Sequence, residues 1–285
     1  MKTNSSTELL IELHDGLPRL GPGNADSTLR ALALCDPLPA APDILDIGCG
    51  TGAQTLVLAT ALDGHITATD ICDRFLARLQ ATILHQGLSS RIQTLAADMN
   101  RLPFPDRAFD LIWSEGAIYN IGFDNGLTAW RRLARPGAFL VVSELSWFSP
   151  NPPAELREFW TKHYPAMRSV EENIAAARAI GWHAVGNFHL PAQAWTDDYY
   201  RPLAQRIPVF RETHRDDNHA QEIADVTVVE MSWMDKYPSS YGYEFYVLRR
   251  GIRVATAGIA ADDRANSRGI RTGPARSTAG GARSS

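Results

Sequence analysis

Three features of this chain together suit a nucleoside. Ile44-Leu45-Asp46-Ile47-Gly48-Cys49-Gly50-Thr51-Gly52 reads as a buried strand carrying an acid, then a glycine turn, then a helix over about 53–61. Gly48, Gly50 and Gly52 permit positive φ and let a ligand approach the backbone, and the helix beyond presents free N–H groups and a positive dipole end. Asp70 closes the next strand, 24 residues after Asp46, with Ile71 beside it. A carboxylate there can accept hydrogen bonds from both hydroxyls of a ribose. Asp98 and Met99 follow a third strand; the acid can accept from the exocyclic amine of an adenine, and the thioether offers soft apolar contact to its ring. The plainer readings are that Asp70 caps a helix and Asp98 closes a solvated turn.

A second group sits where a reacting partner would lie. The strand Phe109–Ser114 runs into Glu115-Gly116-Ala117-Ile118-Tyr119-Asn120. Glu115, Tyr119 and Asn120 are the candidate catalytic residues, with Glu115 the best placed to contact either the bound ligand or its reacting partner. Glu144 ends the fifth strand. His14 and His163-Tyr164 are weaker candidates for a base, and Trp195, Tyr199 and Tyr200 are read equally as a lid or as ordinary core. Cys35, Cys49 and Cys72 have neither metal-ligand nor disulfide spacing, so no metal is expected and a reducing compartment, the cytoplasm, is the simplest.

The elements that must position these residues alternate. Strands are expected at 44–47, 65–69, 91–96, 109–114 and 138–144, with helices at 53–61, 73–85 and 124–134 between them, which implies a parallel sheet covered on both faces. Upstream, 7–20 and about 26–34 read as helices around the breaker Gly21-Pro22-Gly23-Asn24, a segment placed to fold over the crevice as a lid. Downstream, helices at 155–164 and 170–180 precede strands at 182–190 and 243–248. Those last two strands are expected to form an antiparallel edge interrupted by helices over about 192–240. The domain reading is an N-terminal helical cap at 1–40, a nucleoside-binding domain at 41–250, and a tail at 251–285 too poor in large apolar residues to order itself.

The formal net charge is −4 in 285 residues. The tail holds six Arg and two Asp, so residues 1–250 carry −8, a charge that phosphate backbones repel. Nucleic acid is therefore disfavoured as a partner. No apolar run is long enough for a membrane span.

Taken together, these residues resemble the class I S-adenosylmethionine-dependent methyltransferase family. The resemblance is carried by 45–52, Asp70, Asp98, Leu102-Pro103-Phe104-Pro105, Phe109-Asp110-Leu111-Ile112 and Arg135-Pro136-Gly137. The strings 114–123 and 143–148 look like an uncharacterised bacterial subgroup near the ubiquinone-biosynthesis-like branch. The resemblance implies an α/β fold: a doubly wound, mostly parallel, seven-stranded Rossmann-like sheet with an antiparallel last strand. It implies S-adenosyl-L-methionine as cofactor, with Asp46, Gly48, Cys49, Gly50 and Gly52 around its amino acid part. Asp70 and Ile71 would lie at its ribose, Asp98 and Met99 at its adenine, and Glu115 beside the methyl to be transferred.

Asn151-Pro152-Pro153 is similar to a signature of enzymes that methylate planar amino groups. Ala154 follows it here, and it comes after the fifth strand rather than the fourth, which disfavours that chemistry. The expected activity is in-line methyl transfer to a small-molecule acceptor. Protein or RNA methylation, and a non-catalytic cofactor binder, are the alternatives. A nicotinamide dehydrogenase is disfavoured because the glycines alternate and position 53 is Ala.

Overall fold

The computed structural model describes residues 5–251. The expectation for the tail falls outside these residues, Gly251 excepted.

Strands β1 (Asp43–Ile47), β2 (His65–Asp70), β3 (Ile92–Ala96), β4 (Phe109–Ser114) and β5 (Ala134–Trp147) lie parallel. After them come β7 (Trp182–His189) and β8 (Tyr241–Arg250), and the sheet order is β3-β2-β1-β4-β5-β8-β7. β8 is antiparallel to both neighbours, so it runs against the rest of the sheet. A two-residue strand, β6 (Arg168–Ser169), pairs with β5 outside this path. The expected seven-stranded path with one reversed strand is present, and β6 is an addition to it.

Side-chain alternation divides the core into two layers. Ile44, Ile66, Leu111, Trp113, Phe139 and Val141 face one side, packed under α3 (Ala53–Ala61) and α4 (Asp73–His85). Leu45, Ile47, Ile112, Leu140 and Val142 face the other, under α5 (Phe123–Arg131) and α7 (Val170–Ile180). Strands buried on both faces explain why the sequence reads as near-continuous apolar runs here.

Some boundaries depart from expectation. β5 starts at Ala134 rather than 138, because Ala134 pairs with Phe109 before a register shift carries Phe139 opposite Leu111. The strand also runs on to Trp147, so Glu144 lies inside it rather than at its end. The first helix, α1 (Ser6–His14), stops at Asp15 instead of reaching residue 20, and 15–24 run as loop to α2 (Ala25–Ala33). Pro153 serves as the cap of α6 (Ala154–His163), a local structural role for the proline pair.

The segment between β7 and β8 folds as α8 (Ala192–Trp195), a π turn at Thr196–Tyr200, α9 (Arg201–Thr213) and α10 (Asn218–Lys236). α1 packs against α9 and α10, with Leu9 and Leu13 fully buried. No helix among the described residues is long and apolar enough to cross a membrane.

Candidate functional site

β1, β2 and β4 end side by side, and the acids of the first group converge there. Asp46 is fully buried. Its Oδ1 accepts from the Gln54 amide at 3.1 Å and its Oδ2 from the Thr55 hydroxyl at 2.5 Å. Burial, helped by the charges of Glu115 and Asp70, pushes its carboxyl up to about 7 against those two bonds. Asp46 thus ties the glycine loop to the first turn of α3 from beneath.

The loop above it requires glycine. Gly48 has φ +70°, and a Cβ there would stand 2.4 Å from the Cβ of Ala117; Gly52 has φ +84°, and its Cβ would stand 2.2 Å from Leu79 Cδ1. Cys49 is enclosed, with burial raising its thiol pKa well above the ordinary value, so it is no nucleophile.

Asp70 Oδ2 accepts from the Gly50 N–H at 2.9 Å, and Oδ1 from the Cys72 N–H at 2.8 Å. Each oxygen keeps a lone pair for another donor. Ile71 beside it is 73% exposed, a large apolar side chain left in the open at a strand end. Asp98 is likewise open. Its Oδ1 accepts both Asn100 bonds, and these hold its carboxyl below the usual range. Met99 Cε lies 3.4 Å from where a Gly48 Cβ would be. The buried hydroxyl of Ser114, at the end of β4, has no hydrogen-bond partner. A paired-acceptor acid, an exposed apolar flank and a second open acid, beside a loop that admits no side chain, fit a nucleoside with a polar chain attached.

Glu115, expected beside the methyl, has both carboxylate oxygens engaged within the protein. It is 8% exposed. Oε1 accepts from Thr28 at 2.7 Å and from the Trp113 indole at 2.9 Å, and Oε2 pairs with Arg19 at 2.8 Å. Its work in this structure is to hold the segment between α1 and α2. That segment covers the loop: Leu20 Cδ1 would be 2.9 Å from a Cβ at Gly50, and Arg78 donates to the Leu17 carbonyl at 3.4 Å. The Gly23 N–H bonds the Ala194 carbonyl at 3.3 Å, which joins the segment to the helical insertion.

The acceptor-side candidates separate. Asn120 donates to the Ala117 carbonyl at 2.9 Å and closes its own turn. Tyr119 remains 44% exposed and meets Tyr164 edge to face, ring centroids 6.4 Å apart. His163 stands away from this group, tilted on Phe159 with centroids 4.5 Å apart. His14 is held by Leu10, whose carbonyl takes the Nδ1 proton, so Nε2 accepts from the Tyr199 hydroxyl at 2.8 Å. Arg19, Thr28, Glu230 and Tyr243 carried no local signal in the sequence. Each acquires its role through contacts distant along the chain.

A doubly wound sheet with a glycine loop after β1 and an acid after β2 defines a class of nucleoside-binding α/β proteins. Residues 44–137 match the family model described as Methyltransferase domain. A demethylmenaquinone methyltransferase of Mycolicibacterium gilvum is 31% identical over 176 residues, covering 60% of this chain and 68% of the relative. The O-methyltransferase rstn1 of Aspergillus nomiae is 29% identical over 145 residues, 50% of this chain and 64% of the relative. In three further curated relatives the match covers only 40%, 49% and 41% of their length. Among solved structures, a SAM-dependent methyltransferase from Geobacter sulfurreducens, in complex with S-adenosyl-L-homocysteine, superposes with TM-score 0.70 at 18% identity, over 85% of this chain and 97% of that one. The chain belongs to the class I S-adenosylmethionine-dependent methyltransferase family, whose cofactor is S-adenosylmethionine.

Proposed function

We propose that this protein transfers a methyl group from S-adenosylmethionine to a small-molecule acceptor. The observation that carries the reading is the convergence of the Gly48–Gly52 loop, Asp70 and Ile71 at the carboxyl ends of β1 and β2, under a cover latched by Glu115. Asp70 receives the ribose hydroxyls, and Ile71, Met99 and Asp98 take the adenine. The loop admits the amino acid part against its backbone. When bound, the cofactor supplies an electrophilic methyl on a sulfonium. The protein's share is then to hold the acceptor in line and exclude water, and positioning of this kind is worth roughly 7–11 kcal/mol. Small-molecule acceptors suit the names of the relatives.

The test is calorimetry of the full chain with S-adenosylhomocysteine. Binding is expected, and Asp70→Ala should weaken it at least about a hundredfold, since each hydrogen bond to the carboxylate is worth about 1.5–3 kcal/mol. Wild-type affinity in that variant removes the ribose assignment. A labelled methyl donor incubated with metabolite extract then identifies the acceptor by its acquired label.

A further inference from the structure

The buried pair of Arg19 and Glu115 stands at the glycine turn itself. Asp46 of β1 pairs in register with Trp113 of β4. Continuing that register brings Glu115 beside Gly48, on the face of the sheet that Asp46 and Trp113 share. Two contacts fix the placement. Ala117 occupies the space that a side chain on Gly48 would need, and Leu20, next to Arg19, lies 2.9 Å from a Cβ built on Gly50. The ion pair thus borders the turn from two separate elements, the end of β4 and the N-terminal segment.

The two halves of the pair are unequally satisfied. Glu115 Oε1 has two donors, Thr28 at 2.7 Å and the Trp113 indole at 2.9 Å. Oε2 has Arg19 alone among the described residues, at 2.8 Å, and keeps a lone pair. Arg19 gives Glu115 its Nη2, while its Nε and Nη1 donate to no group among the described residues. The side chain is nevertheless only 13% exposed. A guanidinium is a rigid fork of N–H donors whose geometry matches a planar carboxylate. Enclosing most of that fork unused is costly, and fastening the segment to Glu115 does not require it. Arg74 and Arg78 of α4, which also reach this segment, are taken up by Asp15 and the Leu17 carbonyl.

A ligand that completes both halves carries an anion for the free N–H groups and a cation for Oε2. A neutral chain would leave the fork unpaired, and a simple anion would compete with Glu115 without replacing the charge that Glu115 loses. The amino acid end of the cofactor is a zwitterion and supplies both. We propose that Arg19 binds the carboxylate of S-adenosylmethionine, with the ammonium turned to Glu115 Oε2, so that alternating charges replace the simple pair and neither buried charge is left alone. This rests on the methyltransferase reading. Arg19 lies outside residues 44–137, the part matched by the family model. Cofactor recognition in this chain therefore extends to the N-terminal segment, and the residue that holds the cover also reads the ligand beneath it.

The experiment is calorimetry on the full chain with three probes. They are S-adenosylhomocysteine, its decarboxylated analogue, which keeps nucleoside, thioether and amine, and methylthioadenosine, which lacks the amino acid part. The wild type should bind S-adenosylhomocysteine at least about tenfold more tightly than the decarboxylated analogue, the loss expected for charge-assisted hydrogen bonds. Arg19→Gln should weaken S-adenosylhomocysteine at least about tenfold and erase that preference, with methylthioadenosine bound as in the wild type. Arg19→Lys keeps the charge without the fork, so its preference should fall between the two. Methylthioadenosine binding reports that each variant is folded. If the wild type shows no preference, or Arg19→Gln weakens all three probes alike, Arg19 serves the cover only and the inference is overturned. Should Arg19→Gln fail to fold, Arg19→Lys decides, and a preference equal to that of the wild type overturns the inference. If S-adenosylhomocysteine itself fails to bind the wild type, the methyltransferase reading falls instead.

Discussion

Glu115→Gln removes the charge against which Arg19 is buried. The two side chains are 3% and 13% exposed and meet at 2.8 Å, so solvent screens them little. Removing one partner of such a pair leaves the other charge enclosed and costs about 3–5 kcal/mol. The Gln oxygen can still accept from Thr28 and Trp113, which places the expected loss near the lower end, about 3 kcal/mol. In a chain of this size each kcal/mol lowers the Tm by about 2–4 °C, so a fall of roughly 6–12 °C is expected. Circular dichroism melts and urea titrations measure it. Arg19→Met should also destabilise, but the double variant should be less damaged than the sum of the two, with a coupling of about 1–3 kcal/mol. Additive losses, or a Glu115→Gln cost under about 1 kcal/mol, would refute the buried latch.

Three further outcomes follow from the same geometry. Leu20→Ala should barely change stability, because Leu20 is only half-buried, yet it uncovers Gly50 and should weaken S-adenosylhomocysteine severalfold in calorimetry; deletion of residues 1–23 is a poorer test, since it also removes the buried Leu9 and Leu13. Gly48→Ala combines a positive φ with a 2.4 Å clash against Ala117; a loss of about 1–3 kcal/mol in urea unfolding is expected, and an unchanged midpoint would show that the loop has room. Asp46 is held above its ordinary value in the folded state, so folding favours its protonated form. Its contribution is full below about pH 4 and is lost as pH rises to about 7. Asp46→Asn should flatten the decline in urea stability between pH 5 and pH 7, and an identical slope would mean that burial does not perturb this acid.

The alternation of strand and helix was legible because each strand is short, apolar and followed by turn residues, all of which are local signals. Asp70 was legible for the same reason: it falls at the last position of a strand whose neighbour carries the glycine loop. β6 was not, since a two-residue strand exists only through its pairing of Arg168 with Ser146. The early start of β5 was hidden by Pro136 and Gly137, which read locally as a turn but sit in a strand whose register shifts around them. Glu115 was found but its partners were not. Arg19 lies between Pro18 and Leu20 in a stretch without periodicity, and its meaning is set 96 residues away. Glu230 is one of several acids on α10, and its position opposite Tyr200 depends on how that helix lies across the sheet.

The N-terminal segment ties separate parts of the fold together. His14 holds Tyr199 of the helical insertion. Five residues on, Arg19 is bound to Glu115, just beyond β4, and Leu20 rests on the glycine loop. Thr28, at the start of α2, returns to the same Glu115. A segment with these attachments cannot shift at one without straining the others. Close packing makes such elements switch between discrete arrangements rather than deform gradually. The contact over Gly50 and the contact with the helical insertion therefore belong to one mechanical part, and Glu115 is the residue that anchors it.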